Sequence, residues 1–376
     1  MLTKPRIVDL FSGCGGFGLG AELAGFESVA AVDIDSTLQS AYGLNFPTAR
    51  VINGDVSQLE AGFWKKTIGR QRLDGLIGGP PCQGFSRIGK KAADDPRNSL
   101  IGHFYRHVRM LKPKFFVMEN VVGLLDEGSR EHLFKALGQV PEDYVILGPL
   151  IVNAAEHGAP TKRKRVVVIG YDPAEVSPIS EADITAASVA NPTTIRDAIS
   201  DLPSPIADPR DPLDFGWARY PRRPTRLSDY AARMRMMPEN LGWDTSVTKL
   251  AHGSISGLLE TKHTEIVKRR FADTPPGEIE AVSRYPRLRW DGFCPTLRAG
   301  TGNERGSYQA MRPIHPSEAR VITVREGARL QGFPDWFVFH PSKWHSFRMI
   351  GNSVSPPVSY HILSKMMAKL ATRIAA

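Results

Sequence analysis

Between Arg6 and Tyr171 the sequence alternates short β-rich runs with helix-like stretches such as Leu100–Leu111. This alternation is typical of a parallel α/β sheet whose strands are joined by helices. The predicted strands are Arg6–Leu10, Ser28–Val32, Ala49–Ile52, Leu73–Ile77, Phe115–Met118 and Arg165–Ile169. Polar, glycine or proline residues follow each of the first five strands. Because ligands of open α/β sheets bind at the carboxyl ends of the strands, we expect the functional residues at that edge.

A glycine-rich loop follows the first predicted strand. Gly13, Gly15 and Gly18 form the pattern G-x-G-x-x-G, in which missing Cβ atoms let a cofactor approach the backbone. Asp33 ends the second strand, where a carboxylate can accept hydrogen bonds from ribose hydroxyls. Asp55 ends the third strand, where it can reach an adenine amino group. Alone, the pattern predicts a cofactor that contains adenosine, and NAD, FAD and S-adenosylmethionine (SAM) all remain open. A tight turn in an α/β domain without a cofactor is the alternative.

A cysteine follows the fourth predicted strand. Cys82 is flanked by proline and glutamine rather than by apolar residues, which indicates a reactive thiol and not a core residue. The fifth strand is followed by Glu119, and Arg163 and Arg165 alternate with a period of two that places both on one face of a strand. A thiolate, an acid and two guanidiniums at one sheet edge predict catalysis. A nicotinamide dehydrogenase has no use for this cysteine.

These residue types fit methyl transfer to C5 of cytosine. That carbon is a poor nucleophile until a thiolate adds to C6, and an acid at N3 stabilises the adduct. Cys82 is the expected nucleophile and Glu119 the expected acid, while the arginines would hold Glu119, the O2 atom of the base or a phosphate. A base within a duplex is out of reach, so it has to be flipped out of the stack.

The charge of the chain favours an anionic partner. Its 48 Lys and Arg residues outnumber 39 Asp and Glu residues, which gives a net charge of +9. Beyond Tyr171 periodicity is weak and basic residues are mixed with aromatic ones, as around Trp217, Tyr220 and Trp290. Such clusters are typical of surfaces that bind nucleic acid, although for any one cluster a solvated loop is the alternative. Three scattered cysteines predict neither disulfides nor a zinc site, and the absence of a long apolar stretch or signal peptide predicts a cytoplasmic protein.

In their order along the chain, the motifs resemble those of the C5-cytosine DNA methyltransferase family. The resemblance covers residues 5–170 and about 318–376, with a dissimilar stretch between them. The motifs are Asp9–Gly20, Val32–Asp35, Gly54–Val56, Pro80–Gln83, Glu119–Val121, Arg163–Arg165, Arg325–Pro334 and Gly351–Pro356. The resemblance implies a SAM-dependent methyltransferase with a Rossmann-like α/β sheet and a second, smaller target recognition domain.

The resemblance also implies how the chain is divided and what it binds. Residues 1–172 are expected to form the catalytic domain, which residues 346–376 complete. Residues 173–345 are expected to form the target recognition domain, with Arg325–Pro334 at its base. The implied partner is double-stranded DNA, the implied state is a monomer, and the compact length resembles that of bacterial or phage restriction-modification enzymes.

The resemblance assigns roles to particular residues. The implied catalytic residues are Cys82, Glu119, Arg163 and Arg165. The implied contacts to SAM, and to its product S-adenosylhomocysteine, are Phe11, Gly13, Cys14, Gly15, Gly16, Asp33, Ile34, Asp55, Val56, Pro80, Leu100, Asn352 and Val354. The implied DNA contacts are Gln83, Ser86, Arg222, Arg223, Thr296, Arg298 and Arg305. No metal is implied.

One position departs from the family pattern. Thr161 stands where members often carry a glutamine two residues before the first arginine of the Arg163–Arg165 motif, and its shorter side chain puts one DNA or base contact in doubt. Two alternatives stay open at this point. One is methylation of RNA, since a branch of the family acts on tRNA, and the other is a homologue that binds DNA without catalysis. A dehydrogenase explains the glycine loop but none of the later motifs.

Overall fold

The computed structural model describes residues 4–81, 99–209, 211–221, 226–299 and 311–374. Its first eight strands are β1 (Arg6–Leu10), β2 (Glu27–Asp33), β3 (Arg50–Asn53), β4 (Gly75–Gly78), β5 (Phe115–Val121), β6 (Val145–Asn153), β7 (Thr161–Lys162) and β8 (Lys164–Tyr171). All of these except β7 form one seven-stranded sheet in the order β3-β2-β1-β4-β5-β8-β6. Strands β1 to β5 run parallel, whereas β8 is antiparallel to both β5 and β6.

Helices connect and cover this sheet, and further short elements follow it. The helices before β6 are α1 (Gly16–Leu23), α2 (Ser36–Asn45), α3 (Ala61–Ile68), α4 (Ser99–Leu111) and α5 (Ser129–Leu137). The later helices are α6 (Glu181–Thr185), α7 (Ile195–Ile199), α8 (Asp229–Met234), α9 (Asp244–Ala251), α10 (Glu265–Asp273), α11 (Val324–Gln331), α12 (Lys343–Asn352) and α13 (Pro356–Ile374). The remaining strands, of two residues each, are β9 (Ala218–Arg219), β10 (Ser254–Ile255) and β11 (Cys294–Pro295).

The sheet is buried on both faces because neighbouring residues of each central strand are both apolar. Ile7 and Phe115 pack on the face that α13 covers, whereas Val8 and Phe116 pack on the opposite face. Successive side chains of a strand point to opposite sides, so a strand with a core on each side needs a continuous apolar run. Full burial of each such side chain contributes about 1.5–3 kcal/mol.

The last helix returns to the first strands. Helix α13 packs against α1, where a Cβ on Gly20 would lie 2.3 Å from Ser359 Oγ. The Ser359 hydroxyl donates a hydrogen bond to the Phe17 carbonyl at 2.6 Å. The helix begins at Pro356, and proline is well tolerated in the first turn of a helix. The C-terminal residues thus form part of the core under the main sheet.

The sheet differs from the expected parallel one in its last two strands. Strand β6 was not predicted, because Gly148 and Pro149 interrupt it and several of its apolar side chains are exposed at the sheet edge. Its neighbour β8 runs antiparallel to β5. The other predicted strands exist with ends that move by at most a few residues.

The core continues from the main sheet into the later part of the chain. One apolar cluster combines Tyr42 of α2 and Phe46, which directly follows α2, with Ile199 of α7 and with Phe333 and Phe337 beyond α11. Residues on both sides of the expected domain boundary therefore share one core, and the boundary itself stays a prediction.

A buried ionic network fixes several of the later helices. The Arg329 guanidinium on α11 donates to both oxygens of Asp335 at 2.6 Å and to Asp201 at 3.2 Å. Arg235 also binds Asp201, at 2.6–2.9 Å, and the Tyr220 hydroxyl donates to Asp335. Leaving one buried partner of such a network unpaired typically costs about 3–5 kcal/mol. The network thus holds α11 against the residues at the ends of α7 and α8.

Among the described residues there is neither a membrane-spanning helix nor a cluster of metal-binding side chains. None of their helices is both long and apolar enough to span a membrane. In the same part of the chain, no three or more His, Cys, Asp or Glu side chains are arranged to hold a metal ion.

Candidate active site

The glycine loop is fastened to the end of β2 by backbone hydrogen bonds. The Gly13 amide donates to Asp33 Oδ2 and the Asp35 amide donates to Asp33 Oδ1, both at 2.9 Å. Gly15 has a φ of 98° and precedes α1, and a Cβ there would lie 2.4 Å from the ring of Phe46. Burial raises the pKa of Asp33, against the lowering effect of these amides. The glycine loop and Asp33 are therefore joined into one preformed unit.

An exposed apolar side chain lies next to this unit. Ile34 is 71% exposed, between the carboxylates of Asp33 and Asp35. Asp35 caps α2 and forms an ion pair of 2.5 Å with Arg348 on α12. Arg348 was not predicted, because its partner lies more than 300 residues away in the chain and no local pattern marks it. The ion pair holds the Asp33–Asp35 turn against the C-terminal segment.

The remaining predicted cofactor residues divide into exposed and packing positions. Asp55 is half-buried and caps a 3₁₀ turn at Val56–Gln58, and Asn352 is exposed at the end of α12. Phe11, Leu100 and Val354 are half-buried, whereas Val56 and Pro80 are buried.

Two residues of the glycine loop have mainly packing contacts. Burial raises the pKa of the Cys14 thiol to about 12, and its sulfur lies 3.8 Å from Ser353 Oγ. A Cβ on Gly16 would lie 2.1 Å from the same hydroxyl oxygen and 2.4 Å from the Val354 carbonyl. Cys14 and Gly16 therefore allow the C-terminal segment to approach the loop closely.

A buried acid lies at the carboxyl end of β5. Glu119 is 9% exposed, and its Oε1 is 2.9 Å from Nε of Arg165 on the adjacent strand β8. The two residues lie diagonally across the ladder, since Glu119 is opposite Val167. Burial raises the pKa of Glu119 more than the guanidiniums of Arg165 and Arg163 lower it. A carboxyl group in such a position can hold and donate a proton.

The chain approaching Cys82 is fixed beside this acid. A Cβ on Gly79 would lie 3.3 Å from Glu119 Oε2, so the glycine leaves room for the carboxyl group. The Asn120 side-chain amide donates to the Pro80 carbonyl at 3.1 Å. Asn120 was not among the predicted site residues, although its place directly after Glu119, beside the strand that leads to Cys82, was the available signal. Cys82 itself, with Gln83 and Ser86, lies outside the described residues.

Arg163 differs from Arg165 in its position and its partners. It lies between β7 and β8, so the expectation that one strand carries both arginines is corrected. Its side chain is buried and donates to the carbonyls of Leu297, Gly351 and Ser353 at 2.9–3.1 Å. The terminal nitrogens of Arg163 are thus bound to backbone, whereas Arg165 is paired with Glu119.

Thr161 forms an internal contact at the same junction. Strand β7 pairs with β11, and the buried Thr161 hydroxyl donates to the Cys294 carbonyl at 3.0 Å. The Thr296 hydroxyl donates to the Lys162 carbonyl at 2.8 Å, and Arg298 is half-buried just beyond it. Arg222, Arg223 and Arg305 lie outside the described residues.

A glycine loop, acids at two strand ends and a raised-pKa carboxyl group at a third define the class of an α/β enzyme that uses a nucleotide-like cofactor. Comparison with known proteins identifies the family. The family described as C-5 cytosine-specific DNA methylase matches residues 5–368. The chain belongs to this family.

Individual relatives and solved structures agree with this. The type II methyltransferase M.XorII of Xanthomonas oryzae pv. oryzae is 40% identical, over 98% of this chain and 86% of its own. M.DdeI of Desulfomicrobium norvegicum is 32% identical, over 93% and 86%. A prophage-encoded Escherichia coli protein described as a DNA modification methyltransferase superposes with a TM-score of 0.85 at 41% identity, covering 98% of this chain and 99% of its own. The S. pombe Dnmt2 methyltransferase shares the fold, with a TM-score of 0.59 at 18% identity over 97% and 99%.

The predictions of fold class and enzyme class are therefore confirmed. The chain has the α/β fold of the SAM-dependent methyltransferases, and it is a DNA cytosine-5 methyltransferase of the restriction-modification type. The family implies use of SAM and a DNA substrate.

Proposed function

We propose that the protein transfers the methyl group of SAM to C5 of cytosine within a specific sequence of duplex DNA. The target base is flipped out of the helix, and Cys82 adds covalently to its C6. One observation supports this chemistry above all. A carboxyl group with raised pKa, Glu119, lies beside the chain that leads directly into Cys82.

The residues at the edge of the sheet fit SAM. The proposed contacts are the thirteen residues named from the sequence, of which Ile34 has a large apolar side chain that is exposed. An isoleucine that is 71% exposed between two acidic residues gains from being covered by a flat apolar ring. Asp33 can accept hydrogen bonds from ribose hydroxyls, because the amides of Gly13 and Asp35 leave lone pairs of its carboxylate available.

Truncation of Ile34 tests this cofactor position. Ile34→Ala is expected to weaken binding of S-adenosylhomocysteine about fivefold to tenfold, or ~1–1.4 kcal/mol, because apolar contact area with the adenine is lost. Isothermal titration calorimetry measures the dissociation constant. The matched control is Ile266→Ala, since Ile266 on α10 is 73% exposed and lies outside this edge. Equal affinities in both variants and the wild type would remove Ile34 from the site.

The proposed chemistry divides between Cys82 and Glu119. The thiolate sulfur bonds to C6, the C5=C6 electron pair shifts towards N3, and Glu119 donates its proton there. SAM, when bound, supplies the methyl group, whose bond to sulfur breaks with the electron pair left on that sulfur as C5 takes the methyl. A water molecule then takes the C5 proton, the electrons of that C–H bond restore the C5=C6 double bond, Cys82 leaves as a thiolate, and the N3 proton returns to Glu119. Arg165 holds the Glu119 carboxyl group in position through its 2.9 Å contact.

DNA recognition is proposed for the later part of the chain. Residues 1–172 with 346–376 would form the catalytic domain, and residues 173–345 the target recognition domain. The proposed DNA contacts are Gln83, Ser86, Arg222, Arg223, Thr296, Arg298 and Arg305. The net charge of +9 supports phosphate binding, which predicts that DNA affinity falls steeply with salt.

The function is tested by following labelled methyl groups from SAM into plasmid DNA and, in parallel, into tRNA. Bisulfite sequencing then locates the modified cytosines. Modification of one recurring DNA motif is the expected result. Label in tRNA but not in DNA would replace the DNA substrate with RNA, and binding of SAM and DNA without any transfer would indicate a non-catalytic homologue.

A further inference from the structure

Three segments of the chain meet at one buried guanidinium. The Arg163 terminal nitrogens donate to the Leu297 carbonyl at 3.1 Å and to the Gly351 and Ser353 carbonyls at 2.9 Å. We propose that Arg163 is a positioning residue that couples occupancy of the cofactor site to binding of DNA. This inference rests on the proposed function, since it assumes that the cofactor and DNA bind at the edges described above.

On one side, the junction touches the glycine loop through Ser353. The Ser353 hydroxyl lies where a Cβ of Gly16 would be, and its carbonyl accepts hydrogen bonds from both Arg163 and the Gln331 amide at 2.9–3.0 Å. Asn352 and Val354, on either side of Ser353, are proposed cofactor contacts. A ligand that fixes the position of the glycine loop therefore also fixes the positions of the carbonyls to which Arg163 is bound.

On the other side, the junction touches the segment Thr296–Ala299. The Leu297 carbonyl accepts a hydrogen bond from Arg163. The backbone at Ala299 passes so close to Gly351 that a Cβ on Gly351 would lie 2.5 Å from the Ala299 nitrogen. The Met311 amide donates a hydrogen bond to the Arg298 carbonyl at 3.3 Å, which links this segment to the chain at Met311. Two of the proposed DNA contacts, Thr296 and Arg298, belong to this segment.

The chemistry of arginine explains why one residue can link the two sides. A guanidinium is planar, and its donors point in fixed directions, so it cannot follow one carbonyl without moving away from another. Its burial means that water does not replace a lost partner. The positions of the Arg163-bound carbonyls that favour cofactor binding therefore also favour DNA binding. Each ligand then raises the affinity for the other, which is thermodynamic coupling.

The test measures the affinity for a fluorescent DNA duplex with and without saturating S-adenosylhomocysteine. The duplex carries the motif found by bisulfite sequencing. In the wild type the product is expected to tighten DNA binding at least about fivefold. Arg163→Lys keeps the charge but loses the planar set of donors, and Gly351→Ala displaces the segment at Ala299. In both variants we expect the ratio of affinities to fall below about twofold.

Thr161→Val is the matched control. It removes a hydrogen bond from the same junction, to Cys294, without contact to residues 351–353, so it should keep the wild-type ratio. Thermal melting shows which variants are folded. If Arg163→Lys is not folded, the ratio of affinities measured for Gly351→Ala decides whether the coupling exists. As a check that needs no variant, the product alone should slow hydrogen exchange at residues 297–299 of the wild type.

The outcomes separate this inference from the proposed function. Folded Arg163→Lys and Gly351→Ala proteins that keep the ratio overturn the coupling, as does equal loss of the ratio in Thr161→Val. A wild-type ratio near one, or unchanged hydrogen exchange, with methyl transfer intact also overturns the coupling and leaves the function standing. A wild type that transfers no methyl group to DNA refutes the proposed function instead.

Discussion

Replacement of Cys82 by alanine is expected to abolish methyl transfer, with a loss of at least about 10⁴-fold, because the reaction loses its proposed nucleophile. Binding of S-adenosylhomocysteine should stay within twofold of the wild type. The glycine loop, Asp33 and the C-terminal segment, which would form the cofactor site, are held by contacts with one another. Transfer of labelled methyl to plasmid DNA and calorimetric titration measure the two effects separately.

Cys294→Ala is the control for this experiment. Cys294 is fully buried, and burial raises the pKa of its thiol, so it does not supply a thiolate at neutral pH. The variant should keep transfer within a few fold of the wild type, apart from any loss of stability. Substantial transfer by Cys82→Ala would show that another group, or no covalent step at all, activates the base.

Replacement of Glu119 by glutamine is the second large effect. We expect turnover to fall about 10²- to 10⁴-fold, the usual contribution of a general acid. The amide keeps the shape of the side chain and a hydrogen-bond donor but cannot transfer a proton to N3. Product binding should change little, because Glu119 is proposed to contact the base and not the cofactor.

The dependence of turnover on pH also tests the role of Glu119. Burial raises the pKa of this carboxyl group, so its protonated form persists to higher pH than that of an ordinary glutamate. Wild-type turnover should decline as the pH rises through that raised pKa, and the residual activity of Glu119→Gln should lack this decline. Glu131→Gln, at an exposed carboxyl group on α5, is the control. An unchanged alkaline limb in Glu119→Gln would mean that a different group donates the proton.

The sequence allowed the main sheet edge to be predicted because the rule behind it is local. Each of the first five strands is short, apolar and followed by a polar or flexible residue, so its end can be recognised from its own sequence. Parallel strands then bring those ends to one edge, which is why Asp33, Asp55 and Glu119 could be assigned there without a structure. The ordered motifs carried the rest of the prediction of enzyme class.

Other features could not be predicted because their partners are backbone atoms or distant residues. The carbonyls that bind Arg163 come from residues 297, 351 and 353, and a carbonyl leaves no trace in the sequence. For the same reason the sequence showed Thr161 only as a shorter side chain that puts one DNA or base contact in doubt, and it gave no sign that the hydroxyl binds the Cys294 carbonyl. Strand β6 escaped prediction because its edge position removes the continuous apolar run that marks the central strands.

The close approach of Gly16 and Gly20 to Ser353 and Ser359 has a consequence for how the protein is made. The ribosome releases the glycine loop more than 300 residues before it releases the serines that support the loop. Domains generally begin to fold from the amino terminus while the chain is still growing. In this protein the first strands have to wait for the last helix before one face of their sheet is covered. A nascent chain thus lacks the residues that pack against its glycine loop until α13 has been synthesised.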